Sequence, residues 1–244
     1  MEASESALSG GDRSGLLLPS SLEHVRITSL PQTAYYIPNF ITEEEEQIIL
    51  DKISSAPKPR WKQLTKRRLQ TWPSDLVNNK LLDAPLPTWL QDPVISRLSS
   101  LPVKESEAGH IFCDSPHQKP NHVLINEYPP GIGIMPHKLS TQQVDGAAKD
   151  DGALDPVPAW RILQEPRSLL ITTDQLYTHY LHGIADIEED VDLNPNTIAN
   201  WDLLHSPDAY ANGTHVRKIR TSLTYRDVIQ VSKIANKLGM FLNR

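Results

Sequence analysis

The 244-residue chain is 39% hydrophobic and sets 24 Lys and Arg against 30 Asp and Glu, a formal net charge of −6. That length and apolar content suit one domain around one core, and the net negative charge gives no global signal for nucleic-acid binding. With no apolar run of about 18 residues, no signal-peptide core and a single cysteine, Cys113, the expectation is a monomer without a membrane partner or internal disulfide, placed in the reducing cytoplasm or nucleus.

Residues 1–20 are polar and small, and are expected to be a disordered tail ahead of a domain over 21–244. The aromatic run Tyr35-Tyr36-Ile37 reads as a strand. Thr42-Glu43-Glu44-Glu45 is a capping box, with acids in the first turn of a helix over 42–54. Ile49, Leu50 and Ile53 give that helix its buried stripe, and Pro57 and Pro59 follow its end. Next come Lys58, Arg60, Lys62, Lys66, Arg67 and Arg68, six cations around Trp61 within eleven residues and with no acid among them. A solvated surface loop and a substrate-facing loop both account for that patch. Trp89, Leu90, Ile95 and Leu98 mark a second helix.

From His122 onward, short apolar runs between prolines and glycines indicate strands at 122–128, 168–172, 179–184 and 219–228. Two long polar stretches interrupt them, an insertion over 138–158 and a loop over 186–214. Stretches of that kind are expected to be lids or disordered.

The chemistry concentrates late in the chain. In Arg220-Thr-Ser-Leu-Thr-Tyr-Arg226, period two puts Arg220, Ser222, Thr224 and Arg226 on one face of a strand. If that face is interior, its two guanidinium groups need anionic partners, and one small dicarboxylate would serve both; a solvated strand face is the alternative. Asn126 and Tyr128 share a parity on their own strand and add an amide and a phenol. His137 and His182 each close a short strand. Two neutral imidazoles plus a carboxylate form the open facial triad of non-haem iron oxygenases. His110, Cys113 and His117 lie close together but lack a fourth ligand in regular spacing, and are not read as a metal site.

The stretches Tyr-Tyr-Ile-Pro-Asn-Phe-Ile, Ala-Pro-Lys-Pro-Arg-Trp, Arg-Leu-Gln-Thr-Trp, Asn-His-Val-Leu-Ile-Asn-Glu-Tyr, Gly-Ile-Met-Pro-His, Glu-Pro-Arg-Ser-Leu-Leu-Ile, Leu-His-Gly-Ile-Ala and Arg-Thr-Ser-Leu-Thr-Tyr-Arg occur in this order. Over residues 22–244 the chain resembles the AlkB-type Fe(II)- and 2-oxoglutarate-dependent dioxygenases, nearest to the branch of their sixth eukaryotic homologue. The resemblance implies an α+β fold, a double-stranded β-helix (jelly-roll) core with flanking N-terminal helices. It implies iron ligands at His137 and His182, and 2-oxoglutarate contacts at Asn126, Tyr128, Arg220 and Arg226. It also implies a substrate lid over about 57–80 containing Arg67, Arg68 and Trp72. The implied reaction uses O2 to convert 2-oxoglutarate to succinate while an N-methyl group of a nucleic acid or protein leaves as formaldehyde.

The resemblance breaks after His137. The family pattern there is His-x-Asp, whereas this chain reads His137-Lys138-Leu139, and leucine cannot ligate a metal. The interval to Glu165 is also shorter than in the family, so one or two core strands are expected to be missing. Three explanations follow: Asp145, Asp150, Asp151 or Asp155 folds back as the ligand; a segment has been lost; or the chain is a non-catalytic binding module. The lost segment is favoured because both flanks match. The barrel is accordingly expected to be incomplete after His137, with the strands of His182 and Arg220 in one sheet.

Overall fold

The computed structural model describes residues 16–30, 33–138 and 158–232. In chain order its elements are β1 (Ala34–Ile37), α1 (Glu43–Ser54), β2 (Lys62–Gln63), β3 (Arg68–Trp72), β4 (Leu81–Leu82), α2 (Thr88–Gln91) and α3 (Val94–Ser100). There follow β5 (His122–Tyr128), β6 (Ile134–Lys138), β7 (Leu169–Thr172), α4 (Asp174–Thr178), β8 (Leu181–Ile184), β9 (Glu189–Asp190), β10 (His215–Val216), β11 (Arg220–Arg226) and β12 (Val231–Ser232).

The capping box forms as expected: the Glu45 N–H donates to Thr42 Oγ1 at 3.2 Å and the Thr42 N–H to Glu45 Oε2 at 2.8 Å. Arg97 of α3 then grips the same carboxylate at 2.7 Å, so the start of α1 is tied to the neighbouring helix. Ile49 and Ile53 are buried at i and i+4, but Leu50 is 36% exposed and does not belong to the buried stripe. The expected second helix is two short ones, because Pro93 has no N–H with which to continue the ladder of α2.

A four-stranded antiparallel sheet, in the order β11-β5-β3-β2, organises the molecule. Its register sets Arg220 opposite Tyr128, Ser222 opposite Asn126 and Arg226 opposite His122. Period two then splits the sheet into two faces. Val123, Ile125, Leu223, Tyr225 and Trp72 join the core formed with Ile49, Ile53, Leu90, Ile95 and Leu98. On this face Gln70 of β3 is fully buried. Its amide donates to the Ile53 carbonyl at 2.9 Å and its oxygen accepts from Trp72 Nε1 at 2.9 Å, so the polar group is satisfied while it joins α1 to the sheet. His122, Asn126, Tyr128, Arg220 and Arg226 occupy the opposite face.

The segment over 186–214 is not a structureless loop. It contributes Leu193, Ile198, Leu204 and Tyr210 to a second core with Ile27, Ala34, Tyr36 and Leu176. Glu165 fixes this layer: its buried carboxylate accepts from Tyr36 Oη at 3.1 Å and from the His205 and Ser206 N–H groups at 2.8 and 2.9 Å. Within the same segment Asp190 pairs with Arg217 at 2.7 Å. Of the tail over 1–20, residues 16–20 are described, and Ser20 Oγ donates to Glu105 at 2.6 Å.

β6 and β8 form their own antiparallel ribbon with a register shift between Ile134 and His137. The strands of His182 and Arg220 therefore lie in different sheets, which corrects the expectation that one sheet holds both. The site is built from two sheets because the histidines face each other across a ribbon while the arginines share a face with β5. The expected strand loss falls within 139–157, outside the described residues.

The ribbon's close approach depends on Gly133. A Cβ there would sit 1.9 Å from the Ile184 carbonyl oxygen and 2.7 Å from Asp186 Oδ1, while the Gly133 N–H donates to Asp186 Oδ1 at 2.5 Å. Gly133→Ala is expected to destabilise the fold by about 3 kcal/mol or more in urea unfolding, because backbone rather than a flexible side chain must yield. An unchanged midpoint would show that the ribbon tolerates separation.

Candidate functional site

His137 and His182 are direct cross-strand partners, and their ring centroids lie 4.3 Å apart with the planes tilted by 53°. The Nδ1–H of His137 donates to the Met135 carbonyl at 2.9 Å, which leaves Nε2 with its lone pair free. Nδ1 of His182 is buried without a hydrogen-bond partner among the described residues. Burial, reinforced by His137 and Arg226, pushes the pKa of His182 down to about 4. That ring is neutral at pH 7, the form that ligates metal.

The arginines complete the other half. Arg220 donates through Nη2 to Gln164 at 2.7 Å, while among the described residues its buried Nη1 has no partner, nor has the buried Nε of Arg226. Burial presses the pKa of Arg220 below its usual value. Arg67 reaches the same face: its Nε donates to Asn126 Oδ1 at 3.3 Å, and the guanidinium groups of Arg67 and Arg220 each lie 5.8 Å from the Tyr128 ring centroid. Asn126 and Tyr128 are 5% and 6% exposed, so the cations, the amide and the phenol converge where water is scarce.

A buried guanidinium N–H without an acceptor is costly, and a carboxylate at each arginine would satisfy it. The donor set therefore fits 2-oxoglutarate. For iron the described residues supply two imidazoles, His137 and His182; no group of three His, Cys, Asp or Glu side chains suited to a metal occurs among the described residues. Leu139 and the candidate acids Asp145, Asp150, Asp151 and Asp155 lie outside them.

The expected lid divides. Residues 68–72 form a strand of the main sheet rather than a loop, and by parity Arg68 and Trp72 point away from Asn126 and Arg220. Arg68 makes two hydrogen bonds to Glu127, at 2.6 and 2.8 Å, and lies 4.1 Å over the Trp61 ring. Trp72 packs edge-on against Trp89 at 5.5 Å, with Arg60 4.1 Å over its ring. Of the three expected lid residues, Arg67 meets the site. Other cations of the patch have acidic partners too, Lys62 with Asp75 at 2.5 Å and Lys66 with Asp186 at 3.4 Å. Away from this face, His117 pairs with Asp227 at 2.6 Å, and His110 Nδ1 accepts from the Phe112 N–H at 3.2 Å.

Two site-face residues escaped the sequence reading. Gln164 carries no periodic signal before its contact with Arg220. His122 is legible only as a same-parity neighbour of Asn126, and its depth, 3% exposed, needs the fold.

The structure thus sets a histidine pair on one ribbon and, on another sheet, two arginines with buried donors that meet no acceptor among the described residues. The chain belongs to the AlkB-homologue family: it is 34% identical over 240 residues to a zebrafish (Danio rerio) protein described as probable RNA/DNA demethylase ALKBH6, covering 89% of this chain and 95% of that one. It is also 27% identical over 109 residues to an Arabidopsis thaliana alkylated DNA repair protein ALKBH8 homolog, 42% of this chain and 28% of the relative. An uncharacterized mimivirus protein, L905, is 25% identical over 213 residues, 80% of this chain and 84% of that one. No protein-family model matches the chain.

Proposed function

We propose that this chain is an AlkB-type jelly-roll scaffold with a 2-oxoglutarate site of the kind that serves oxidative demethylation of an N-methylated nucleic acid or protein, and that this copy binds the keto acid without turning it over. The carrying observation is the pair of half-buried arginines on the face of Asn126 and Tyr128, each with a buried N–H that meets no acceptor among the described residues. The relatives' names, an RNA/DNA demethylase and an alkylated DNA repair protein, support a nucleic acid as the substrate class. Iron(II) held by His137 and His182 would supply the oxidation by O2, with succinate, carbon dioxide and formaldehyde as products. The chain's own residues bind and orient: Arg220 and Arg226 hold carboxylates, Asn126 and Tyr128 fix the molecule between them, and Arg67 covers Asn126.

The loss of turnover rests on Leu139, a hydrocarbon side chain where the family pattern has a carboxylate. Without metal, two charge-assisted contacts at about 1.5–3 kcal/mol each, less ordering costs, place 2-oxoglutarate binding in the ~1 mM range. Ligand-observed NMR is expected to detect it. Absence of any effect at tenfold higher ligand would overturn the binding site itself.

If nucleic acid is the substrate, the cations free to leave their present partners should carry it. Lys66 and its partner Asp186 are 62% and 55% exposed, so that pair is weak and easily exchanged; Arg68 is held in two hydrogen bonds by Glu127. Alanine at Lys66 and Arg67 together is expected to weaken binding of single-stranded oligonucleotide and reduce the slope of log K against log salt by about 1.4, while Arg68→Ala changes it less. Equal slopes in all three chains would return the patch to an ordinary surface.

A further inference from the structure

His122 opens β5 on the face of Asn126 and Tyr128 and lies directly opposite Arg226. It is 3% exposed, and neither of its ring nitrogens has a hydrogen-bond partner among the described residues. The Nε of Arg226 beside it is likewise buried and unpartnered among the described residues. Two orphaned donors on adjacent strands form a cost with no return among the described residues, since buried polar groups are otherwise satisfied. Packing does not need a histidine here, where a phenylalanine would bury comparable volume.

The surroundings narrow what could satisfy the pair. The Ser74 backbone lies toward the ring without reaching hydrogen-bond geometry, and Asp75 acts on it from a distance while engaged by Lys62 and by the Thr71 hydroxyl. Burial first, and Arg226 second, push the pKa of His122 down to about 4, so the ring is neutral with one N–H to donate. A guanidinium and a neutral imidazole N–H side by side call for one acceptor with several lone pairs, and a carboxylate provides it. Arg226 also acts electrostatically on His182, which places this end of the face beside the histidine pair.

We propose that His122 is a further binding residue for 2-oxoglutarate, its ring N–H donating to the carboxylate that Arg226 holds. This rests on the 2-oxoglutarate reading of the site. It separates His122 from a core histidine by the sign of two effects: removing the ring nitrogens relieves the free protein of orphaned polar atoms and takes a contact from the ligand.

The test is His122→Phe in the full chain, with 2-oxoglutarate as probe and no added metal. Ligand-observed NMR is expected to show binding weakened about tenfold or more, while the Tm of the free protein holds or rises. His122→Gln, which restores a donor, should recover part of the affinity. Unchanged affinity in His122→Phe overturns the inference, and a fall in Tm with unchanged affinity assigns His122 to the core. If His122→Phe does not fold, the unaltered chain still decides: the His122 ring signals must move when 2-oxoglutarate is added, and ring signals that stay put while the ligand binds overturn the assignment. Failure of the unaltered chain to bind 2-oxoglutarate at all would instead bring down the site reading on which this rests.

Discussion

Succinate formation from 2-oxoglutarate, with ferrous iron and O2 supplied, is expected to be undetectable for this chain and to appear once a carboxylate is restored two residues after His137. The histidines are not the weak point: they are register partners with rings 4.3 Å apart on a ribbon pinned at Gly133, and burial keeps His182 neutral. What is short is charge and a third donor. Two imidazoles bring no negative charge to a divalent cation, and the facial geometry of non-haem iron sites takes two histidines and one carboxylate. Leu139→Asp alone is expected to give a low, measurable rate if the backbone after Lys138 continues the strand. Replacing 138–158 by a His-x-Asp strand segment of an active relative should give more, because ligand geometry off by about 1 Å already costs roughly 100-fold. Turnover by the unaltered chain would sink the claim and turn attention to Asp145, Asp150, Asp151 and Asp155, whose replacement by Asn one at a time would then find the substitute ligand. A restored chain that stays silent would point to defects beyond the missing acid.

How much of this was legible in the sequence depended on whether local chemistry and burial agreed. The capping box at Thr42 and the period-two run Arg220 to Arg226 carry their meaning locally, and both formed as read; β5 begins and ends at the residues expected. β3 was hidden because its fully buried residue is Gln70, a polar side chain that belongs inside only when Ile53 and Trp72 meet it. Without that knowledge Arg68-Leu69-Gln70-Thr71-Trp72 reads as a basic loop, and parity cannot be used to turn Arg68 and Trp72 away from the site. The segment 186–214 misled similarly: its acids dominate the composition, yet Leu193, Ile198, Leu204 and Tyr210 bury themselves against β1 and α4. Leu50 failed for the opposite reason, a helical neighbour of Ile49 with no surface left to cover. In the site, the residue types were readable while their pairing was not, since the opposition of His137 to His182 and of Arg226 to His122 is a matter of register that no single strand contains.

Arg220→Met is expected to weaken 2-oxoglutarate binding by about 10- to 100-fold while leaving the free protein as stable as before or more so. The stability half follows from what Arg220 does without ligand: one bond to Gln164 at 2.7 Å, a distant approach to the Tyr128 ring, and a buried Nη1 with no acceptor among the described residues. Methionine keeps the reach and apolar bulk of the side chain and removes the unpaired donor; Gln164, which is exposed, can turn to water. The binding half follows from charge, because a carboxylate held by a buried guanidinium loses both its counter-charge and its donor fork. Arg220→Lys should restore only part of the affinity, since a point charge does not reproduce the fork. Arg220→Met combined with Arg226→Met separates one shared ligand from two independent ion sites. Six residues of strand put their Cα atoms about 20 Å apart, so the two side chains must lean toward each other for one dicarboxylate to span them. If they do, the second substitution costs much less than it does alone, because a ligand released at one end has already lost most of its hold at the other. Fully additive losses would mean two separate anions, and an Arg220→Met chain that binds 2-oxoglutarate as tightly as the unaltered one would remove Arg220 from the site.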